Sequence, residues 1–259
     1  MILSRRASLM LGLATFSAAL LPRLAAAQTA APGSFAYPVE GGQVVFHPVE
    51  HASMVVEVPG GVIYVDPVGG ADLYRGMPQP TLILITHEHG DHFDLPTLQA
   101  LPPVAIIANP AVHGMLPADM QERATAMANG DQAQAIGMMI EAVPAYNTSA
   151  DKQQYHPQGR DNGYVLTIGG KRFYIAGDTE DTPEMRALEN IDVAFLPMNL
   201  PYTMTVQQAA DAVADFKPVS VFPYHHRSSD VQEFARLVEG SDAGSLVVIA
   251  NWYPRGMAD

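Results

Sequence analysis

The chain has 259 residues, no cysteine, and 14 basic against 27 acidic side chains, for a formal net charge of −13. At 48% hydrophobic and 16% charged, it is not a disordered chain, and its acidity speaks against nucleic acid as a partner, since phosphate binding needs a basic surface. Without a thiol, disulfides, Cys-ligated zinc and iron–sulfur clusters are excluded, so any metal must be held by nitrogen and oxygen.

Arg5 and Arg6 precede a short apolar run, Leu9 to Leu21, and Ala25-Ala26-Ala27 follows it. A basic start, an apolar middle and small residues at the end are the plan of a secretory signal, and the arginine pair resembles the twin-arginine type. The run falls short of the ~20 residues that a bilayer requires. The expectation is cleavage of residues 1–27 after Ala27, and a periplasmic or exported mature chain without a membrane span. Three arginines and no acid leave with that segment, so the remainder is more acidic still.

Residues 28–42, rich in Pro, Gly and Ala, read as a loose lead-in to one domain over 43–259. Val44 to Val49 and Ser53 to Val58 read as strands, and Pro59-Gly60-Gly61 turns the chain into Val62 to Val65, which ends at Asp66-Pro67. Thr81 to Thr86 is continuously apolar but for its ends, as in a strand buried on both faces, and it runs into His87. Val104 to Ala108 is similar. Residues 127–160 look polar and irregular. Val165 to Ile168 and Lys171 to Ala176 flank Gly169-Gly170, Thr182-Pro183 starts a short helix, and Val193 to Leu196 is a strand. Thr205 with Gln208 forms a capping box for a helix that Pro218 stops. Val219 to Phe222 is a strand, Asp230 and Glu233 start the last helix, and Leu246 to Ala250 is the last strand. Strands with helices between them predict a layered α/β domain with buried sheets. No repeat is visible in the residues.

Three motifs carry chemistry. His87-Glu88-His89-Gly90-Asp91-His92 follows a buried strand. His87 and His89 alternate, so extended backbone can aim both imidazoles at one point. The glycine turn can swing Asp91 and His92 to a second point about 3.5 Å away, a two-metal spacing. Imidazole with carboxylate suits zinc, manganese or iron(II). Phe173 to Thr179 ends a strand in Gly177-Asp178-Thr179, where a carboxylate can bridge two ions. Val221 to Arg227 delivers a histidine at another strand end, either His225 or His226.

His-x-His-x-Asp-His after a buried strand, then Gly-Asp-Thr, then a late Pro-x-His resembles the metallo-β-lactamase superfamily, over about residues 43–252. His51-Ala52-Ser53, Val62 to Pro67 and Leu196 to Met204 are most similar to its group of metal-dependent hydrolases that includes the ascorbate-6-phosphate lactonase type. The resemblance implies a four-layer αββα sandwich with the site at one edge. It assigns His87 and His89 to a first metal, Asp91, His92 and His225 to a second, and Asp178 to both. Two zinc ions per chain are implied, with manganese or iron as the other metals that fit. The superfamily's third histidine on the first metal has no counterpart in Val143 to Asn147, and the nearest candidate is His156. His113 is expected to have a surface or capping role. Asp66 is placed to orient a ligand histidine, His51 stands beside it as a supporting residue, and Asn147, Asn199 and Tyr202 are candidates for the pocket.

The implied reaction is hydrolysis of a small ester, lactone, amide or phosphoester by a metal-activated water, with Asp91 or Asp178 handling its proton. There is no Gly-x-Ser-x-Gly and no phosphate loop to compete. Two alternatives stand beside it: an iron-containing oxidoreductase of the same superfamily, and a periplasmic metal or ligand binder without activity.

Overall fold

The short apolar runs assemble into two seven-stranded sheets. In the computed structural model, which describes residues 33–256, the first sheet holds β1 (Phe35–Val39), β2 (Gly42–Glu50), β3 (Ser53–Val58), β4 (Gly61–Val65), β5 (Leu82–Ile85), β6 (Ala105–Ala108) and β7 (Ala124–Ala126), in that order. The second holds β8 (Gln132–Ala135), β9 (Met138–Ala145), β10 (Asp161–Ile168), β11 (Lys171–Ile175), β12 (Val193–Pro197), β13 (Ser220–Tyr224) and β14 (Leu246–Val247), again in chain order. In each sheet the first four strands pair antiparallel and the last four pair parallel. The two halves thus share one strand plan, a repeat of topology that leaves no trace in the residues. The expected signal segment lies outside the described residues.

The sheets face one another across a core drawn from both, including Phe46, Met54, Ile63 and Leu84 from one and Ile140, Tyr164, Phe173, Phe195 and Phe222 from the other. Its centre is aromatic: Phe195 stacks on Phe222 with ring centroids 4.9 Å apart and meets Phe46 at 4.8 Å. On the outer face of the first sheet, Tyr64, Ile83, Ile85 and Ile106 pack against Leu98 of α1 (Leu95–Ala100), Val112 of α2 (Pro110–Met115) and Met120 of α3 (Ala118–Gln121). On the outer face of the second, Tyr174, Ala194 and Val221 pack against Met185 of α4 (Pro183–Arg186), Ala209 and Val213 of α5 (Val206–Phe216), and Phe234 of α6 (Val231–Glu239). The layers are therefore helix, sheet, sheet, helix. Strands buried on both faces favour apolar residues throughout, as in β5 and β12, and in β13 apart from Ser220 at its start.

The expected caps are present. Thr205 Oγ1 accepts from Gln208 N–H, and Gln208 Oε1 accepts from Thr205 N–H, so the box is complete. Asp230 accepts from the amides of Gln232 and Glu233 at the start of α6.

Three expectations need correction. The body begins before residue 43, because β1 occupies Phe35–Val39 and buries Ala36 and Tyr37. Residues 127–160 are not irregular throughout: β8 and β9 run from Gln132 to Ala145, and Ala, Met and Pro there hide the alternation that marks a strand. The last strand spans only Leu246–Val247. Among the described residues no helix is long and apolar enough to cross a membrane.

Replacing Phe195 by Ala removes a ring that is fully buried and leaves a cavity against Phe222. The expected loss is about 3–5 kcal/mol, seen in denaturant unfolding as a lower midpoint with an unchanged slope.

Candidate metal centre

The parallel strands of both halves aim their C-terminal ends at one place. β4 runs into Asp66, β5 into Thr86 and His87, β11 into Gly177 and Asp178, and β13 into His225. His51 reaches the same place from the turn between β2 and β3, where its carbonyl accepts from His225 N–H at 3.2 Å. His51, Asp66 and His225 all adopt left-handed backbone, at φ 55, 44 and 46. Such a conformation costs about 1–2 kcal/mol for a residue with a Cβ, and three together mark a region under functional constraint. Gly177, at φ 65, sits where an added Cβ would lie 2.7 Å from Asn162 O and 3.2 Å from Thr86 Cβ, so only glycine lets Asp178 come this close to β5.

Asp66 organises the first strand ends. Its carboxylate is fully buried and accepts from Thr86 N–H at 2.7 Å, Thr86 Oγ1–H at 2.7 Å and His92 Nδ1–H at 2.8 Å. Thr86 Oγ1, having donated to Asp66, accepts from His87 Nδ1–H at 3.0 Å. Both imidazoles are thereby fixed with Nε2 turned away from Asp66 and towards the centre. Asn147 does the same for His156: its Oδ1 accepts from His156 Nδ1–H at 2.8 Å, while its Nδ2–H donates to Tyr202 O at 2.7 Å.

The result is a first group of three nitrogens. His89 Nδ1 lies 3.1 Å from His87 Nε2 and 3.2 Å from His156 Nε2. Zinc–nitrogen bonds of about 2.0–2.1 Å in a tetrahedron set neighbouring nitrogens about 3.3 Å apart, close to the spacing found. The loop that brings His156 here is anchored by Glu180, whose buried carboxylate accepts from Lys152 Nζ at 2.8 Å, Ser149 N–H at 2.7 Å and Thr148 Oγ1–H at 3.1 Å. Arg160 ties the other end of that loop to the His motif, donating to Tyr155 O at 2.8 Å and pairing with Glu88 at 2.8 Å.

Asp178 divides its two oxygens. Oδ2 lies 3.5 Å from His156 Nε2 and 4.0 Å from His87 Nε2, whereas Oδ1 lies 3.3 Å from His92 Nε2 and 3.5 Å from His225 Nε2. Beyond His225, Asp91 Oδ2 lies 3.2 Å from His225 Nε2 and 3.3 Å from His51 Nε2. The tight groups are therefore His87–His89–His156, His87–His92–Asp178 and His51–Asp91–His225. Asp91 and His92, expected to face one point, fall in separate groups joined through Asp178 and His225. His51 takes the place beside Asp91.

Burial holds the His87 imidazole well below its ordinary value and brings those of His51 and His156 down to about 4. Burial, then Arg160, lowers His89. His92 goes the other way, because Asp178 and Asp66 outweigh burial and raise it. Burial pushes Asp178 up, but His225 and His92 outweigh it and hold the carboxyl well below the usual range. Four buried atoms, His51 Nε2, His92 Nε2, Asp178 Oδ1 and His225 Nδ1, make no hydrogen bond among the described residues. Buried polar atoms without partners are costly. Imidazole nitrogens and carboxylate oxygens that converge with such atoms unpartnered fit divalent cations.

Asn199 and Tyr202 line the cleft above these groups, together with Tyr155, Leu200, Pro201 and Arg227. His113 lies in the last turn of α2, outside every metal-competent group. The sequence reading missed Thr86, Glu180 and Arg160, although Thr86 and Glu180 adjoin motif residues. Tyr253 was also missed: its Oη lies 2.9 Å from His51 Nδ1 and accepts from Arg227 N–H at 2.7 Å, a contact with no local signal.

Two outcomes follow for binding. The proton held by His92 in the metal-free protein must leave when its Nε2 ligates, so zinc binding releases protons and the apparent affinity rises with pH; titration calorimetry in buffers of different ionisation enthalpy reads this directly. Asn147→Ala frees the His156 ring, and zinc affinity falls by about 10–100-fold in competition with a chromophoric chelator.

A family model described as a Beta-lactamase superfamily domain matches residues 46–225. A metal-dependent hydrolase of Pyrococcus abyssi is 33% identical over 178 residues, which is 65% of this chain and 77% of that protein. Among solved structures, a metal-dependent hydrolase from Parabacteroides distasonis is 42% identical with a TM-score of 0.77, covering 84% of this chain and 97% of its own. The metallo hydrolase Igni18 from Ignicoccus hospitalis is 26% identical with a TM-score of 0.67, over 80% of this chain and 94% of its own. These descriptions give no substrate. With the four-layer sandwich and the histidine–aspartate groups at its strand ends, this chain belongs to the metallo-β-lactamase superfamily.

Proposed function

We propose that this protein is a metal-dependent hydrolase that uses two divalent ions, zinc by preference. The observation that carries this reading is the split of Asp178, one oxygen towards His156 and His87 and the other towards His92 and His225. His87, His89, His156 and Asp178 would hold one ion; Asp91, His92, His225 and Asp178 would hold the other, with His51 beside it. The similarity to proteins described as metal-dependent hydrolases supports the same reading. Bound divalent ions supply Lewis acidity and bring the pKa of a water from ~15.7 towards ~7.

The chain's own residues then have distinct tasks. Asp91, with its side chain 40% exposed, can reach a water in the cleft, orient it and take its proton. Asp178 is buried and held ionised, and serves as a fixed negative charge. Asp66 and Asn147 keep three imidazoles in the tautomer that ligates. The cleft has a volume of about 630 Å³, in the range of small-molecule sites. Esters, lactones, amides and phosphoesters all present an oxygen that such a centre polarises, and the acidic surface disfavours polyanions. Arg5-Arg6 and the apolar run after it support export to the periplasm, which is part of the proposal.

The test is metal analysis of the purified protein with assays against a panel of generic esters, lactones, amides and phosphoesters. We expect turnover that a chelator abolishes and zinc restores, with Asp91→Asn slowing kcat by about 10²–10⁴-fold. Two irons with redox turnover, or inactivity across the panel for the fully loaded protein, would sink the hydrolase reading.

A further inference from the structure

We infer that the substrate carries an uncharged apolar substituent, aryl or branched alkyl, next to the bond that is cut. The inference rests on the hydrolase reading above and concerns the wall of its cleft. At the floor lie the ligating groups His89, Asp91, His156 and Asp178, and one arginine, Arg227 from the loop after β13, also lines the cleft and borders the neighbouring hollow with His51 and Tyr253. The wall on the His156 side is built from Tyr155, Leu200, Pro201 and Tyr202, none of which carries a charge.

Leu200 is 49% exposed and Tyr202 42% exposed, two of the few large hydrophobics left open among the described residues. Their exposure does not come from a loosely held loop. Met198 and Met204, at its two ends, are fully buried. Asn199 N–H donates to Thr203 Oγ1 at 2.7 Å, and Thr203 N–H donates to Asn199 O at 3.0 Å. Asn147, the residue that orients His156, also holds Tyr202 O. The Tyr202 ring meets Tyr155 edge to face with centroids 4.9 Å apart, which sets both rings in place. A fixed apolar surface left open to water marks a binding site, and this one adjoins the metal-competent groups. A charged substituent would find no partner on it, whereas an apolar one would displace water from four uncharged side chains. A second copy of the chain is a poorer occupant: a stable protein interface needs about 800 Å² per partner, far more than two side chains in a concave wall offer.

The experiment uses two hydroxamates as probes on the zinc-loaded, full-length mature chain. Acetohydroxamate carries a methyl group and phenylacetohydroxamate a benzyl group on the same metal-binding head. Calorimetry gives a Kd for each, and the reading is their ratio. We expect the benzyl probe to bind about tenfold tighter or more, with the ratio falling towards one in Tyr202→Ala and in Leu200→Ser. Equal binding of the two probes to the wild type overturns the inference and leaves the hydrolase reading standing. A preference that survives both substitutions also overturns it, since the wall would not be its source. Failure of even acetohydroxamate to bind overturns the metal-centre reading and the inference with it. A dimer in sedimentation that Tyr202→Ala dissociates assigns the wall to self-association and overturns the inference as well.

Discussion

The buried carboxylate of Asp66 is the interaction on which the site's geometry depends. It ends β4, yet its three hydrogen bonds go to Thr86 and His92, so it fixes the exit of β5 and the loop beyond it together. A charged group this deep is tolerable only when its partners are in place, which makes the position of the His motif a condition of burying Asp66 at all. The left-handed backbone at Asp66 belongs to the same constraint. The chain accepts local strain so that the carboxylate turns under the imidazoles and away from solvent.

The rest of the architecture explains why so acidic and histidine-rich a cluster can persist. The inter-sheet core is almost wholly apolar and aromatic, and the outer faces of both sheets are covered by helices. The metal-competent groups lie at one edge, where strand ends bring histidines and carboxylates together. Asp178 sits at the crossing of these demands. Gly177 brings it against β5, and the imidazoles from both halves keep it ionised. The anchored loops on either side, held by Glu180, Arg160 and Asn147, turn an open strand edge into a walled cleft.

Much of this was readable in the amino-acid sequence, for a physical reason. Strands buried on both faces are mostly apolar, so β5, β12 and β13 announced themselves, the Gly169-Gly170 turn marked β11, and polar residues placed directly after these strands inherited a known position. His87, His89 and Asp178 were legible on that account, whereas after β13 the residues left His225 and His226 open and only the family resemblance chose His225. His156 was only a candidate, because a loop held by distant contacts from Glu180 and Arg160 returns it to the site, and such contacts have no period. β8 and β9 were illegible: Gln132-Ala133-Gln134-Ala135 alternates between polar and small residues, and Pro144 interrupts the run that follows. The nearness of His51 to His225, with ring centroids 3.7 Å apart, and to Asp91 was not legible, because it is set by how the two sheets face each other. The shared strand plan of the halves was equally hidden, since topology constrains direction and pairing but not residue identity.

That shared plan places the cluster on a seam. His51, Asp66, His87, His89, Asp91 and His92 come from the first half, whereas His156, Asp178 and His225 come from the second. An ion coordinated there would cross-link two otherwise similar modules, tying residues such as His89 and His156, 67 positions apart, or Asp91 and His225, 134 positions apart along the chain. Its binding energy is then folding energy as well, and the cohesion of the sandwich becomes a function of how much free metal surrounds it.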